Sequence, residues 1–126
     1  MVRIDIGGGL LTVEVEGLDR LVAMRRRFEI PLSHVVWVQT RPDEAYNGPT
    51  GSPTHALVPW MGRTGIYRGT DGDVFWDVRD PGRSIAIGLR DEPLIGLVVE
   101  VHDPDRVERA IVSALRGESD RGFRRE

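Results

Sequence analysis

The chain of 126 residues has no cysteine and no lysine, so all seventeen of its basic residues are arginine. The missing cysteine excludes disulfides, Fe–S clusters, thiolate zinc sites and thiol nucleophiles together. The missing lysine excludes Schiff-base chemistry and a Walker-type phosphate loop, whose lysine reaches the nucleotide phosphates. Long apolar runs are lacking as well. No window approaches the length of a membrane span, and the opening MVRIDIGGGLLTVEVEG has no apolar core of the kind a signal peptide carries. A cytoplasmic location is the expectation. Positive charge is in short supply, because twenty acidic residues outweigh the arginines and leave a formal charge of −3. That balance speaks against non-specific nucleic-acid binding, which requires many phosphates to be neutralised, and against peripheral attachment to anionic lipid.

What is present is a succession of short alternating segments, in a length that suits one domain with its own core. Val2, Ile4 and Ile6, then Leu11, Val13 and Val15, alternate with polar residues and predict a strand pair joined at Gly7-Gly8-Gly9. A glycine run cradles phosphate where it opens a helix, and here Leu10 begins a strand. Leu18, Leu21 and Val22, spaced i, i+3, i+4, predict one or two helical turns within residues 18–25. The chain then returns to a strand in which Arg27 and Glu29 point away from Phe28 and Ile30. Alternation divides Arg25, Arg26 and Arg27 between faces, which favours a solvated, ion-paired role over an anion site. Pro31 interrupts the ladder, and Val35-Val36-Trp37-Val38 resumes it. Residues 42–64 carry Pro42, Pro49, Pro53 and Pro59 with Gly48, Gly51 and Gly62. They show no period and read as a long irregular loop, a kind of segment that in compact domains is usually functional or disordered.

The second half is more regular. Asp71-Gly72 marks a hairpin between Ile66-Tyr67-Arg68 and Val74–Val78, and Asp80-Pro81-Gly82 and Asp91-Glu92-Pro93 mark two further reversals. Ile85, Ile87 and Leu89 share one face, as do Leu97, Val99 and Val101. Asp103 is a helix N-cap, Pro104 suits the first helical position and Gly117 the stop, so residues 104–116 are expected as a helix. Its apolar stripe is Val107, Ala110, Ile111, Ala114 and Leu115. Residues 117–126 are expected as a disordered tail. The fold class is thus mainly β with α: a barrel or sandwich of about seven short antiparallel strands capped by one C-terminal helix, a single domain over 1–116.

Three segments resemble those of a known family: FEIPLSHVVWV at 28–38, VFWDV at 74–78, and SIAIGL followed by LVVEVHDPDRVERAI. In these the chain is similar to the bacterial pleckstrin-homology-like (PH-like) domains, over most of its length outside 42–64 and the tail. The resemblance implies an antiparallel barrel plugged by its C-terminal helix, and a role in protein binding or self-association. Lipid-binding PH domains place basic residues in and beside the first hairpin loop. Gly7-Gly8-Gly9 has none, so no phosphoinositide site is carried over.

No catalytic or metal-binding set stands out. His34, His55 and His102 are the residues suited to neutral-pH proton transfer or nitrogen ligation, and none lies at the spacing of a metal pair on one helix. Gly51-Ser52-Pro53 lacks the nucleophile elbow. Asp71 and Asp73 sit at a hairpin tip, without the buried setting a catalytic acid needs. His34, at the bend after Pro31, reads as a hydrogen-bonded surface residue, whereas the pattern gives His55 no duty. Trp76 shares a face with Val74 and Val78 and reads as core; Trp37 fits either face of its run. Trp60 and Met61, with Arg63 beside them, have the composition of an interface. The expected function is a non-catalytic module that binds a protein or a second copy of itself through residues 42–64, with Tyr46, His55, Trp60, Met61 and Arg63 as contacts. The alternative is a small-molecule-binding protein or enzyme with a pocket near the same loop. No cofactor and no metal is expected.

Overall fold

Alternation of apolar and charged residues produces the first strands. β1 (Val2–Gly7), β2 (Leu10–Val15) and β3 (Arg27–Pro31) form an antiparallel three-stranded sheet in that order. The computed structural model of the chain describes residues 1–15, 27–48, 52–56 and 65–124, so the helix expected within 18–25 lies outside the described residues. Gly8 and Gly9 both take positive φ, 60° and 77°, giving the two-residue turn whose twist matches the strands it joins. Leu11, Val13 and Val15 then face inward and are buried. On the opposite, wetted face Arg3 reaches Glu14 at 2.8 Å and Arg27 reaches Glu29 at 3.5 Å, the ion-paired role expected of Arg27.

Pro31 ends β3, and a 3-10 turn over Leu32–His34 carries the chain to the second sheet. After β4 (Val35–Thr40) comes a short helix α1 (Asp43–Asn47), then β5 (Ser52–Ala56), β6 (Gly65–Arg68), β7 (Asp73–Asp77), β8 (Ser84–Leu89), β9 (Leu94–Glu100) and the long helix α2 (Pro104–Arg124). The second sheet runs β4-β8-β9-β7-β6-β5. All its pairs are antiparallel except β7–β9, because the β8–β9 hairpin folds back and inserts β9 between β8 and β7. Ile85, Ile87, Leu97 and Val99 point from this sheet into a core shared with the first, where the rings of Phe28 and Phe75 meet at 5.0 Å. α2 packs against β4, the Leu32–His34 turn and β1, with Ile111 completely buried as its anchor.

The architecture is the expected one, a mainly β sandwich with a C-terminal helix, and the details correct the sequence reading at four points. Nine strands are present among the described residues, in place of about seven. The sheets stay open as a sandwich and do not close into a barrel, and one pair is parallel. Alternation cannot reveal this order, because a strand buried on both faces reads alike at any interior position. Residues 42–64 are not irregular throughout: they hold α1 and β5, and β5 tolerates Pro53 because it is an edge strand. α2 continues through Gly117 to Arg124 where a tail was expected. A glycine costs a helix only about 1 kcal/mol relative to alanine, and Gly117 is not among the residues that turn left-handed.

Two polar joints lock the ends of the strands. Glu100, at the close of β9, is buried, and its Oε1 accepts the N–H groups of Arg79 and Asp80, both at 2.8 Å, fixing the crossover from β7 to β8. Within that crossover Asp80 accepts the N–H of Gly82 at 2.9 Å, and Ser84 Oγ donates to Pro81 O at 2.7 Å. At the other joint Asp103 caps α2 by accepting the Arg106 N–H at 3.2 Å, as expected. Arg41 donates to both carboxylate oxygens of Asp105, at 3.1 and 2.8 Å, pinning the first turn of α2 to the end of β4. These hydrogen bonds, and then the guanidinium charge, hold the Asp105 carboxyl below its usual range.

Glu100→Ala leaves two backbone donors without their acceptor and is expected to cost about 2 kcal/mol or more, with Glu100→Gln losing less because its carbonyl still accepts. Urea denaturation measures both; an unchanged midpoint for the alanine variant contradicts the joint. Asp105 has a depressed folded-state value, so its contribution is complete above the ordinary carboxylate range and is lost as pH falls through the lowered value. Thermal melts should therefore show the parent above Asp105→Asn near neutrality, and the two converging as the solution is acidified below that range.

Candidate functional site

The outer face of the six-stranded sheet, turned away from the main core, carries a second apolar cluster. Tyr67, Trp76, Val78, Ala86 and Val98 are buried there with Ala45 of α1, and Val74 packs against them. The strand registers line these residues up in rungs. One rung crosses the sheet as Trp37, Gly88, Gly96, Val74 and Tyr67, and the next as Gln39, Ala86, Val98 and Trp76. Two adjacent glycines in the first rung, beside bulkier neighbours in both, leave a trough in the surface.

Trp37 owes its place on this face to a register shift between Val35 and Trp37, where Val36 and Trp37 together lie opposite Gly88. Uninterrupted alternation from the buried Val35 would turn Trp37 inward; the extra residue re-aims it outward, as bulges commonly do. Its indole then lies over Gly88, where any Cβ would overlap the ring nitrogen, while a Cβ at Gly96 would meet Ile87 O at 3.0 Å. The resulting pocket holds about 180 Å³ between Trp37, Val74, Tyr67, Trp76 and Ile95, with Glu44 of α1 at its side. Trp37 is 48% exposed and Ile95 39%. Trp76 is buried, and its indole N–H has no acceptor among the described residues.

Two other hollows are larger and have more charged residues in their linings. One of about 300 Å³, floored by Phe28, Ile66 and Leu94, is bordered by Glu29, Asp73 and Glu92. Each carboxylate there is already partnered: Glu29 by Arg27 at 3.5 Å, Asp73 by Arg68 at 3.1 Å, and Glu92 by a hydrogen bond with His34 Nδ1 at 2.6 Å. His34 is thus the hydrogen-bonded residue expected of it, and it ties the β8–β9 turn to the corner between the sheets, where its carbonyl also accepts from the Arg90 N–H at 2.9 Å. His102 is exposed beside β1 and the start of α2. Among the described residues no cluster of three or more His, Asp or Glu is placed to hold a metal, and no helix is long and apolar enough to cross a membrane.

Of the contacts expected from the sequence, Tyr46 stands on α1, 55% exposed, and His55 lies on β5 opposite Ile66 in the register. Trp60, Met61 and Arg63 lie outside the described residues. The trough residues were missed as a group, although Trp76 is buried as expected. The available signal was Gly88 and Gly96 inside otherwise apolar strands, since a glycine in a strand interior often marks the close approach of another group. No protein-family model, curated protein or solved structure matches the chain.

Gly88→Ala should push the Trp37 indole off the sheet. With fluorotryptophan in place of the three tryptophans, the resonance of Trp37 is expected to shift while stability changes by less than about 1 kcal/mol, because the displaced ring is half-exposed. A Trp37 resonance that stays in place contradicts the geometry of the trough.

Proposed function

We propose that this chain is a non-catalytic protein-binding module whose outer-sheet trough takes one apolar side chain from a partner. The observation that carries this reading is the pocket beside Trp37: Gly96 in its lining, aromatic walls, and a large exposed indole at the rim, seated over Gly88. Its size favours a protein partner over a metabolite. At about 180 Å³ it falls below the ~300–1,000 Å³ usual for small-molecule sites, yet accommodates a leucine or aromatic side chain. Tryptophan and tyrosine are also the residues that anchor protein interfaces.

Glu44 brings α1 of the 42–64 segment to the pocket, and Tyr46, His55, Trp60, Met61 and Arg63 remain contacts proposed from the sequence alone. A protein-binding or assembly role agrees with the PH-like resemblance, but the parallel placement of β9 leaves the trough to carry the proposal. Selection of random displayed peptides against the purified chain tests it. A single large apolar residue is expected to recur among the binders. Trp37→Ser and Gly96→Leu should each weaken them by about tenfold or more, with Leu10→Ser on the other sheet as a neutral control. Binders indifferent to both trough substitutions refute the assignment.

A further inference from the structure

Among the described residues β1 lies at the end of the three-stranded sheet and pairs only with β2. From the closing pair Gly7–Leu10, antiparallel alternation directs the N–H and C=O groups of Arg3 and Asp5 toward β2. Those of Val2, Ile4 and Ile6 then face the free edge. An edge of this kind is a template for another strand, and proteins that avoid such pairing blunt it with proline, a bulge or a cover. β1 has no proline and no register shift. It borders a groove of about 470 Å³ whose far wall is Asp103, Arg106, Val107 and Ala110 of the α2 start.

We infer that β1 is a self-pairing strand, joining two copies of this chain through a two-fold axis at Ile4, independently of the outer-sheet trough. The sequence Val2-Arg3-Ile4-Asp5-Ile6 is complementary to its own reverse. Centred on Ile4, an antiparallel pair places Val2 beside the partner's Ile6, Ile4 beside the partner's Ile4, and Arg3 beside the partner's Asp5. The phase of the hydrogen bonds agrees with the charges. The outward-facing residues Val2, Ile4 and Ile6 form the hydrogen-bonded pairs. Arg3 and Asp5 fall in the non-hydrogen-bonded pairs, where side chains approach most closely. Both are exposed, at 57% and 64% of their side chains, and within the chain Arg3 meets Asp5 at 3.3 Å and Glu14 at 2.8 Å, solvent-exposed pairs of the weak kind that a partner's charges can replace. Neighbouring registers are excluded by the same two residues, because a shift by one hydrogen-bonded pair sets Arg3 against Arg3 or Asp5 against Asp5. The result is an isologous contact, the commonest symmetry for homo-oligomers, and a continuous six-stranded antiparallel sheet across two three-stranded ones.

The test uses the full chain without an N-terminal tag. Light scattering is expected to give about twice the 14.1 kDa chain mass for the parent, and hydrogen exchange should show the Ile4 amide protected. Asp5→Arg, which lies opposite Thr12 in the β2 ladder and gives up only the exposed pair with Arg3 inside the chain, is expected to weaken the dimer by about tenfold or more and to free that amide. Circular dichroism should keep the parent's form. Arg3→Asp alone should do the same, and mixing the two variants should restore a dimer, now mixed, since each arginine again meets an aspartate. A parent that stays monomeric into the millimolar range overturns the inference. So does a dimer indifferent to Asp5→Arg, or one whose Ile4 amide exchanges freely.

Discussion

The insertion of β9 between β8 and β7 is the constraint on which the rest of the molecule depends, and one buried carboxylate fixes it. To leave that central position open, the chain leaving β7 must pass over it and begin β8 beyond it. Backbone groups on such a crossover lose their ladder partners and need others. Glu100 supplies them from the end of the inserted strand itself, by accepting from Arg79 and Asp80. The strand that creates the need therefore also meets it. Val101, just past Glu100, donates to Arg83 O at 3.0 Å and closes the same corner from the other side.

With β9 in the middle, the six-stranded sheet has two apolar faces and two different uses for them. Leu97 and Val99 face the main core, while Gly96 and Val98 face the outer cluster. The first sheet does the opposite, keeping one face dry and giving the other to ion pairs such as Arg3 with Glu14. This asymmetry leaves the two sheets with different exposed features: on the large one a side-chain pocket on a face, on the small one backbone at an edge.

Much of the fold was legible because local chemistry determined it. The turn at Gly8-Gly9, the cap at Asp103, the alternation that buries Leu11, Val13 and Val15, and the burial of Trp76 all follow from residues close in sequence. The strand order was not legible, since nothing local in LIGLVVE distinguishes an inserted strand from a terminal one. The trough was hidden for a related reason. Trp37, Gly88, Gly96 and Val74 come from four strands and meet only through register, and the orientation of Trp37 depends on a bulge that no residue type announces. β5 was masked by Pro53, which argues against a strand everywhere except at an edge.

The parallel pairing of β7 with β9 also divides the large sheet along its hydrogen bonds. On one side β9 is tied to β8 by a short reversal, so that pairing closes a small loop; on the other, β7 meets β9 only after the whole of β8 has been placed. Parallel pairs are slightly weaker per residue, and a loop closed late carries more entropy. The line between β7 and β9 is thus the natural boundary between cooperative units, β5-β6-β7 on one side and β9-β8-β4 on the other. The trough straddles that line, with Trp37 and Gly96 on one bank and Val74, Tyr67 and Trp76 on the other. A side chain seated there would touch both units at once, so its binding and the pairing across the seam would each favour the other by the same free energy.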